Sequence, residues 1–131
     1  MSSLHRAASV QKSESGMLET LAKRYLERVR VFYARLPEKV LGCVEKVDDQ
    51  FIIKVDDQKT PCPIQRIFIV LHEVRHAVRG DPGHWRPEAD ADNAERDCNR
   101  WALAEGEFDE VCTECILALS QACLKGYKAL V

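Results

Sequence analysis

No run of apolar residues in this 131-residue chain approaches the ~20 that a membrane-spanning helix requires, so no membrane partner is expected. The opening stretch, Met1 to Val10, lacks the apolar core of a secretory signal. An excess of one charge is missing too. With 19 Lys and Arg against 21 Asp and Glu, the net charge is −2 and the pI about 6.1. That balance leaves no electrostatic footprint for nucleic acid, so direct nucleic-acid binding is not expected. Internal repeats and low-complexity tracts are also absent. What is plentiful is cysteine: Cys43, Cys62, Cys98, Cys112, Cys115 and Cys123. Without a secretory signal they read as reduced thiols of a cytoplasmic protein and not as a disulfide framework.

Apolar content of 46% and charged content of 31% are those of an ordinary globular domain, and the length suits one core. Residues 1 to 15 are polar and poor in large apolar groups, and read as a disordered tail. Residues 16–131 form the single domain. A helix is expected from Ser15 or Gly16 to about Glu27, with Leu18, Leu21, Ala22 and Tyr25 on one stripe. A strand follows from Val29. The runs Cys43–Val47 and Phe51–Val55 flank Asp48-Asp49-Gln50 and predict a hairpin. Pro63 suits the first turn of a helix that ends at Gly80. An acidic loop over residues 84 to 93 leads to a helix starting near Asp92 or Asn93, either of which is a good N-cap. Phe108 to Leu130 carries a last helical pattern.

The expected helix from Pro63 contains His72-Glu73-Val74-Arg75-His76, an H-E-x-x-H pattern that follows five apolar residues, Ile67 to Leu71. Histidines at i and i+4 stand one turn apart on one face, so both imidazoles can reach one metal ion. Glu73 is turned roughly 100° from His72, where a carboxylate reaches a metal-bound water without ligating the metal. A hydrolytic zinc site needs a third protein ligand. Among His84, Glu88, Asp90, Asp92, Glu95 and Asp97, the choice falls on Glu95, which a helix-loop-helix can fold back over the two histidines. His84 does not complete H-E-x-x-H-x-x-G-x-x-H, because Arg79 and Pro82 stand where that pattern needs glycine and histidine. Asn99, at i+4 from Glu95, is expected to hydrogen-bond the free nitrogen of a ligand histidine. Cys112-Thr113-Glu114-Cys115 spells C-x-x-C, but there is no second such pair, and the cysteines read as small apolar residues of a helix.

The stretches Val70 to Asp81 and Glu95-Arg96-Asp97-Cys98-Asn99-Arg100-Trp101-Ala102 resemble the ImmA/IrrE family of zinc metallopeptidases, over about residues 29 to 104. Cys98 departs from the alanine usual there, and the chain ends soon after one further helix. The resemblance implies an α+β fold, a small antiparallel sheet on about four helices with the H-E-x-x-H on the central one, in the manner of a minimal gluzincin. It implies one Zn²⁺ per chain on His72, His76 and Glu95, with Glu73 as catalytic base, in an endopeptidase of the cytoplasm. The implied substrate is a helix-turn-helix transcriptional repressor. Strand Phe51–Val55, as a free sheet edge, would hold extended substrate by strand addition. His84 and Tyr127 are the candidates for an oxyanion donor. The rival reading is a non-catalytic module that binds a transcription regulator through the same fold.

Overall fold

The computed structural model describes residues 14–110 and 113–116. Helix α1 covers residues 14–22. Strands β1 (Val29–Tyr33), β2 (Gly42–Val47) and β3 (Gln50–Val55) follow, then helices α2 (Pro63–Arg79) and α3 (Glu88–Gly106). Residues 113–116 are helical, and the remainder of the expected last helix lies outside the described residues. The chain is thus mixed, with helices packed on a small three-stranded sheet.

The hairpin β2–β3 is closed by Asp48 and Asp49, both with positive φ (49° and 64°), the conformation whose twist matches flanking strands. The strand order is β1-β3-β2, with β1 parallel to β3 and β2 antiparallel to it. The expected antiparallel sheet is therefore mixed, and β3 is its centre, not an edge. The reason is that β1 does not pair with its sequence neighbour β2. It joins the far side of the hairpin, where Val31 and the β3 residues Ile53 and Val55 enter the core together.

The two outer edges differ. On β1, the Val31 N–H donates to Glu19 Oε1 at 3.1 Å and the Val31 carbonyl accepts from Ser15 Oγ at 3.0 Å, both from α1. That edge is capped. Because the described part of α1 includes Glu14 and Ser15, both residues belong to the fold and not to the tail; Glu14 accepts hydrogen bonds from Tyr33 and Arg66. The helix also stops at residue 22, well before Glu27. The β2 edge has no strand beside it among the described residues.

Helix α2 opens on Pro63, which needs no N–H at that position, and the Gln65 side chain accepts from the Cys62 N–H at 3.2 Å. Its middle, Phe68 to Val74, is buried residue after residue, because β2 and β3 cover one side and α3 another. Each large apolar side chain withdrawn from water there contributes about 1.5–3 kcal/mol. A charge in place of Val74, 0% exposed, would break this packing. Helix α3 starts at Glu88, not at Asp92, because Pro87 sets the entry geometry and Glu88 and Asp90 favour the positive helix end. Among the described residues no helix is long and apolar enough to cross a membrane.

Candidate metal centre

His72 and Glu73 stand on the buried stretch of α2, the partly buried His76 follows one turn after His72, and Glu95 approaches from α3. Glu95 Oε2 lies 2.9 Å from His72 Nε2, and Oε1 lies 3.0 Å from His76 Nε2. The imidazole centroids are 4.8 Å apart with planes at 74°. One donor atom from each of His72, His76 and Glu95 fits within a 4.8 Å span, so the three could hold a metal ion. The sequence expectation for these residues thus corresponds to one compact cluster. Burial pushes the Glu95 carboxyl up, but hydrogen bonds from the two histidines outweigh it and keep the acid below its ordinary range. The shift favours the ionised form that a ligand carboxylate needs.

Glu73 has a different surrounding. It is 6% exposed, with Oε2 3.9 Å from His72 Nε2. Burial raises its proton affinity, His72 and His76 pull it down, and the Glu95 charge adds to the rise. The net is upward, in the direction a general base needs to work near neutral pH. His76 is also displaced: burial disfavours its cation, yet the Cys98 contact and the Glu95 and Glu73 charges raise its pKa well above the ordinary value.

These groups form the floor of a cleft of about 860 Å³. One wall is the segment Lys39–Val44, that is, the entry to β2 and the start of its open edge; the other carries Pro82, Trp85 and Arg86 from the α2–α3 loop. The turn sets the hydrogen-bonding register of β2. A two-residue turn makes Val47 and Gln50 a hydrogen-bonded pair, so Glu45–Ile52 and Cys43–Lys54 are bonded pairs as well. The Asp56 N–H to Leu41 carbonyl bond, 2.9 Å, continues the alternation. Gly42, Val44 and Lys46 therefore turn their own N–H and C=O toward the open edge, and the first two line the cleft. The substrate strand expected at Phe51–Val55 is thus misplaced. Both sides of β3 are occupied, and the free backbone belongs to β2.

The second nitrogen of His76 is held by a residue that the sequence reading did not single out. Asp81 Oδ2 lies 2.9 Å from His76 Nδ1. The helix end explains it. Gly80 adopts the left-handed conformation (φ 80°), its N–H donates to the Ala77 carbonyl, and the Asp81 N–H donates to the His76 carbonyl. This reversal swings Asp81 back over the last turn. The available signal was the Gly80-Asp81 pair just past the last periodic residue of the helix.

Asn99 does not play the part expected of it. It is 0% exposed, and neither its amide oxygen nor its nitrogen has a hydrogen-bond partner among the described residues. Asp81 already occupies His76 Nδ1, and His72 Nδ1 is buried without a partner there. His84 is exposed and does not line the cleft, since its N–H closes a turn onto the Asp81 carbonyl. Tyr127 lies outside the described residues, as does Cys112 of the C-x-x-C. Cys43, Cys62, Cys98 and Cys115 are free thiols. His76, Asp81 and Cys98 also lie close enough to share an ion. However, Asp81 is already engaged by Arg79 and Arg86, at 3.0 Å each, and two guanidinium groups oppose a second cation there.

No family model matches the chain, and neither a curated protein nor a solved structure matches it.

Proposed function

We propose that this chain is a zinc-dependent endopeptidase of the ImmA/IrrE type, a minimal gluzincin-like domain that cuts a protein substrate in the cytoplasm. The observation that carries the reading is the convergence of His72, His76 and Glu95 on one point of a cleft floor, with the buried Glu73 beside them. Two imidazole nitrogens and one carboxylate oxygen are a donor set that suits catalytic zinc, which keeps a further position for water or substrate. When bound, the metal supplies Lewis acidity toward a water and toward the scissile carbonyl.

The protein groups do the proton work. Glu73, with its proton affinity raised, accepts a proton from the attacking water and delivers it to the leaving nitrogen. The hydroxyl adds to the carbonyl carbon, the C–N bond breaks, and an acid and an amine result. The open β2 edge favours an extended peptide, which can pair with the N–H and C=O of Gly42 and Val44. A flexible segment of a helix-turn-helix transcriptional repressor is the proposed substrate, and the ImmA/IrrE resemblance is what supports that choice.

The test is metal analysis followed by cleavage. Freshly purified protein should carry one zinc per chain, and His72→Ala should lose it. Glu73→Gln should retain zinc and leave a co-expressed repressor of this class uncut, while the wild type cuts it. Zinc-loaded wild type that leaves the repressor intact would end the substrate proposal. A protein that binds the repressor but takes up no zinc would be a non-catalytic module.

A further inference from the structure

The two candidate ligand histidines are not held alike. His72 Nδ1 is buried with no partner among the described residues, whereas His76 Nδ1 meets the Asp81 carboxylate at 2.9 Å. Asp81 itself is fixed from three directions. Its Oδ2 accepts from Arg79 Nε at 3.0 Å in addition to facing His76, and its Oδ1 lies 3.0 Å from Arg86 Nη2. Arg79 Nη1 also donates to Asp97 Oδ2 at 2.9 Å, and Arg75 Nε reaches the same oxygen at 3.0 Å. Asp97 is two residues beyond Glu95 on α3. An unbroken series of charged hydrogen bonds therefore runs from His76 through Asp81 and Arg79 to the helix that carries the third ligand.

From this geometry we infer that Asp81 is the positioning residue for His76, engaging Nδ1 so that Nε2 is the nitrogen presented to a metal ion on the Glu95 side. The inference deepens the metal-centre reading and rests on it. A carboxylate behind a ligand imidazole selects the tautomer, fixes the ring plane and raises the basicity of the ligating nitrogen. Bonded to His76 by both its backbone N–H and its side chain, Asp81 has little freedom to leave. Arg79 and Arg86 hold the carboxylate in place from two sides, and the Arg75–Asp97–Arg79 fork ties α2 to α3.

The experiment compares wild type with Asp81→Asn, which preserves shape and removes the charge. Zn²⁺ affinity is measured by competition with a chromophoric chelator, and folding by circular dichroism and thermal melting. Asp81→Asn should bind Zn²⁺ roughly 10- to 100-fold more weakly while its fold is retained. Unchanged affinity in the folded variant would overturn the inference. If Asp81→Asn fails to fold, metal-free wild type decides by NMR. A slowly exchanging, downfield His76 Nδ1–H supports Asp81 as its acceptor, and a rapidly exchanging one overturns it. Wild type that binds no Zn²⁺ at all would instead sink the metal-centre reading, with the Nδ1–H measurement still judging Asp81.

Discussion

Gly42 and Ile69 meet with no room for a methyl group between them. A Cβ on Gly42 would overlap Ile69 Cγ2, and would lie 3.2 Å from the Lys54 carbonyl oxygen and 3.6 Å from Glu73 Cγ. The glycine is thus required by close approach of β2 to α2, at the point where the open edge passes the proposed base. Gly42→Ala should cost about 1–3 kcal/mol, as overpacking does. The penalty should shrink in an Ile69→Leu background, which lacks the β-branch. Chemical denaturation of the four species in a double-mutant cycle checks this, and additive costs would show that the contact does not limit the approach.

Asp56 governs the stability of the loop that leads into that strand. It is 1% exposed and accepts from the N–H groups of Leu36 at 3.0 Å, Gln58 at 3.1 Å and Lys59 at 3.3 Å. Lys59 Nζ in turn donates to the carbonyls of Leu36 and Val40, at 2.8 and 3.1 Å. Burial pushes the acid up, but the N–H donors and the Lys59 charge pull it below its ordinary 3.8. A depressed folded pKa gives stability that is present above the unfolded value and lost as pH falls through the folded one. Asp56→Asn should therefore destabilise the protein by about 1–3 kcal/mol at pH 7 and flatten the acid limb below pH 4. Urea melts at both pH values measure it, and parallel pH profiles for the two proteins would refute the assignment.

Metal affinity should depend on pH in a way that separates His76 from an ordinary histidine. Burial lowers its pKa, but Cys98, Glu95 and Glu73 together raise it above 6.5. The proton then remains on the metal-free protein at neutral pH and must leave when the nitrogen takes a metal. Apparent Zn²⁺ affinity is expected to climb by up to ~tenfold per pH unit and to keep climbing from pH 7 to 8. An unshifted histidine would level off near pH 7. Calorimetry in buffers of different ionisation heat counts the released proton, and a plateau by pH 7 would show that His76 is neutral in the free protein.

The elements that frame the site were legible because their signals are local. Asp48-Asp49 interrupts two β-rich runs, Pro63 and Gly80 punctuate α2, and the pairing of His72 with His76 one turn apart follows from helix geometry. What escaped the sequence depends on contacts between distant segments. Nothing in Val29–Tyr33 states that it pairs parallel with Gln50–Val55, and that pairing alone decides which edge of the sheet is free. Asp92 and Asn93 looked like helix caps because side-chain chemistry favours them, whereas the backbone had already turned at Pro87. Asp81 follows the helix in sequence, and only the left-handed turn at Gly80 brings it back to His76.

The open edge makes the last prediction. Val44 lies opposite Ile53 in a non-bonded pair, so its N–H is not part of the β2–β3 ladder. Val44→Pro should therefore cost roughly 1 kcal/mol, within the tolerance of edge strands for proline. Cys43 is in a bonded pair with Lys54, and Cys43→Pro should cost roughly 3 kcal/mol, since a ladder bond is lost and its acceptor is orphaned. For an extended peptide the order reverses in importance, because Val44→Pro deletes a donor that the peptide backbone would use. One lost hydrogen bond of ~1.4 kcal/mol should raise KM about tenfold with zinc content unchanged. Peptide cleavage kinetics on folded, zinc-loaded Val44→Pro would measure it. An unaltered KM would place the substrate elsewhere in the cleft, against Trp85 and Arg86 in place of β2.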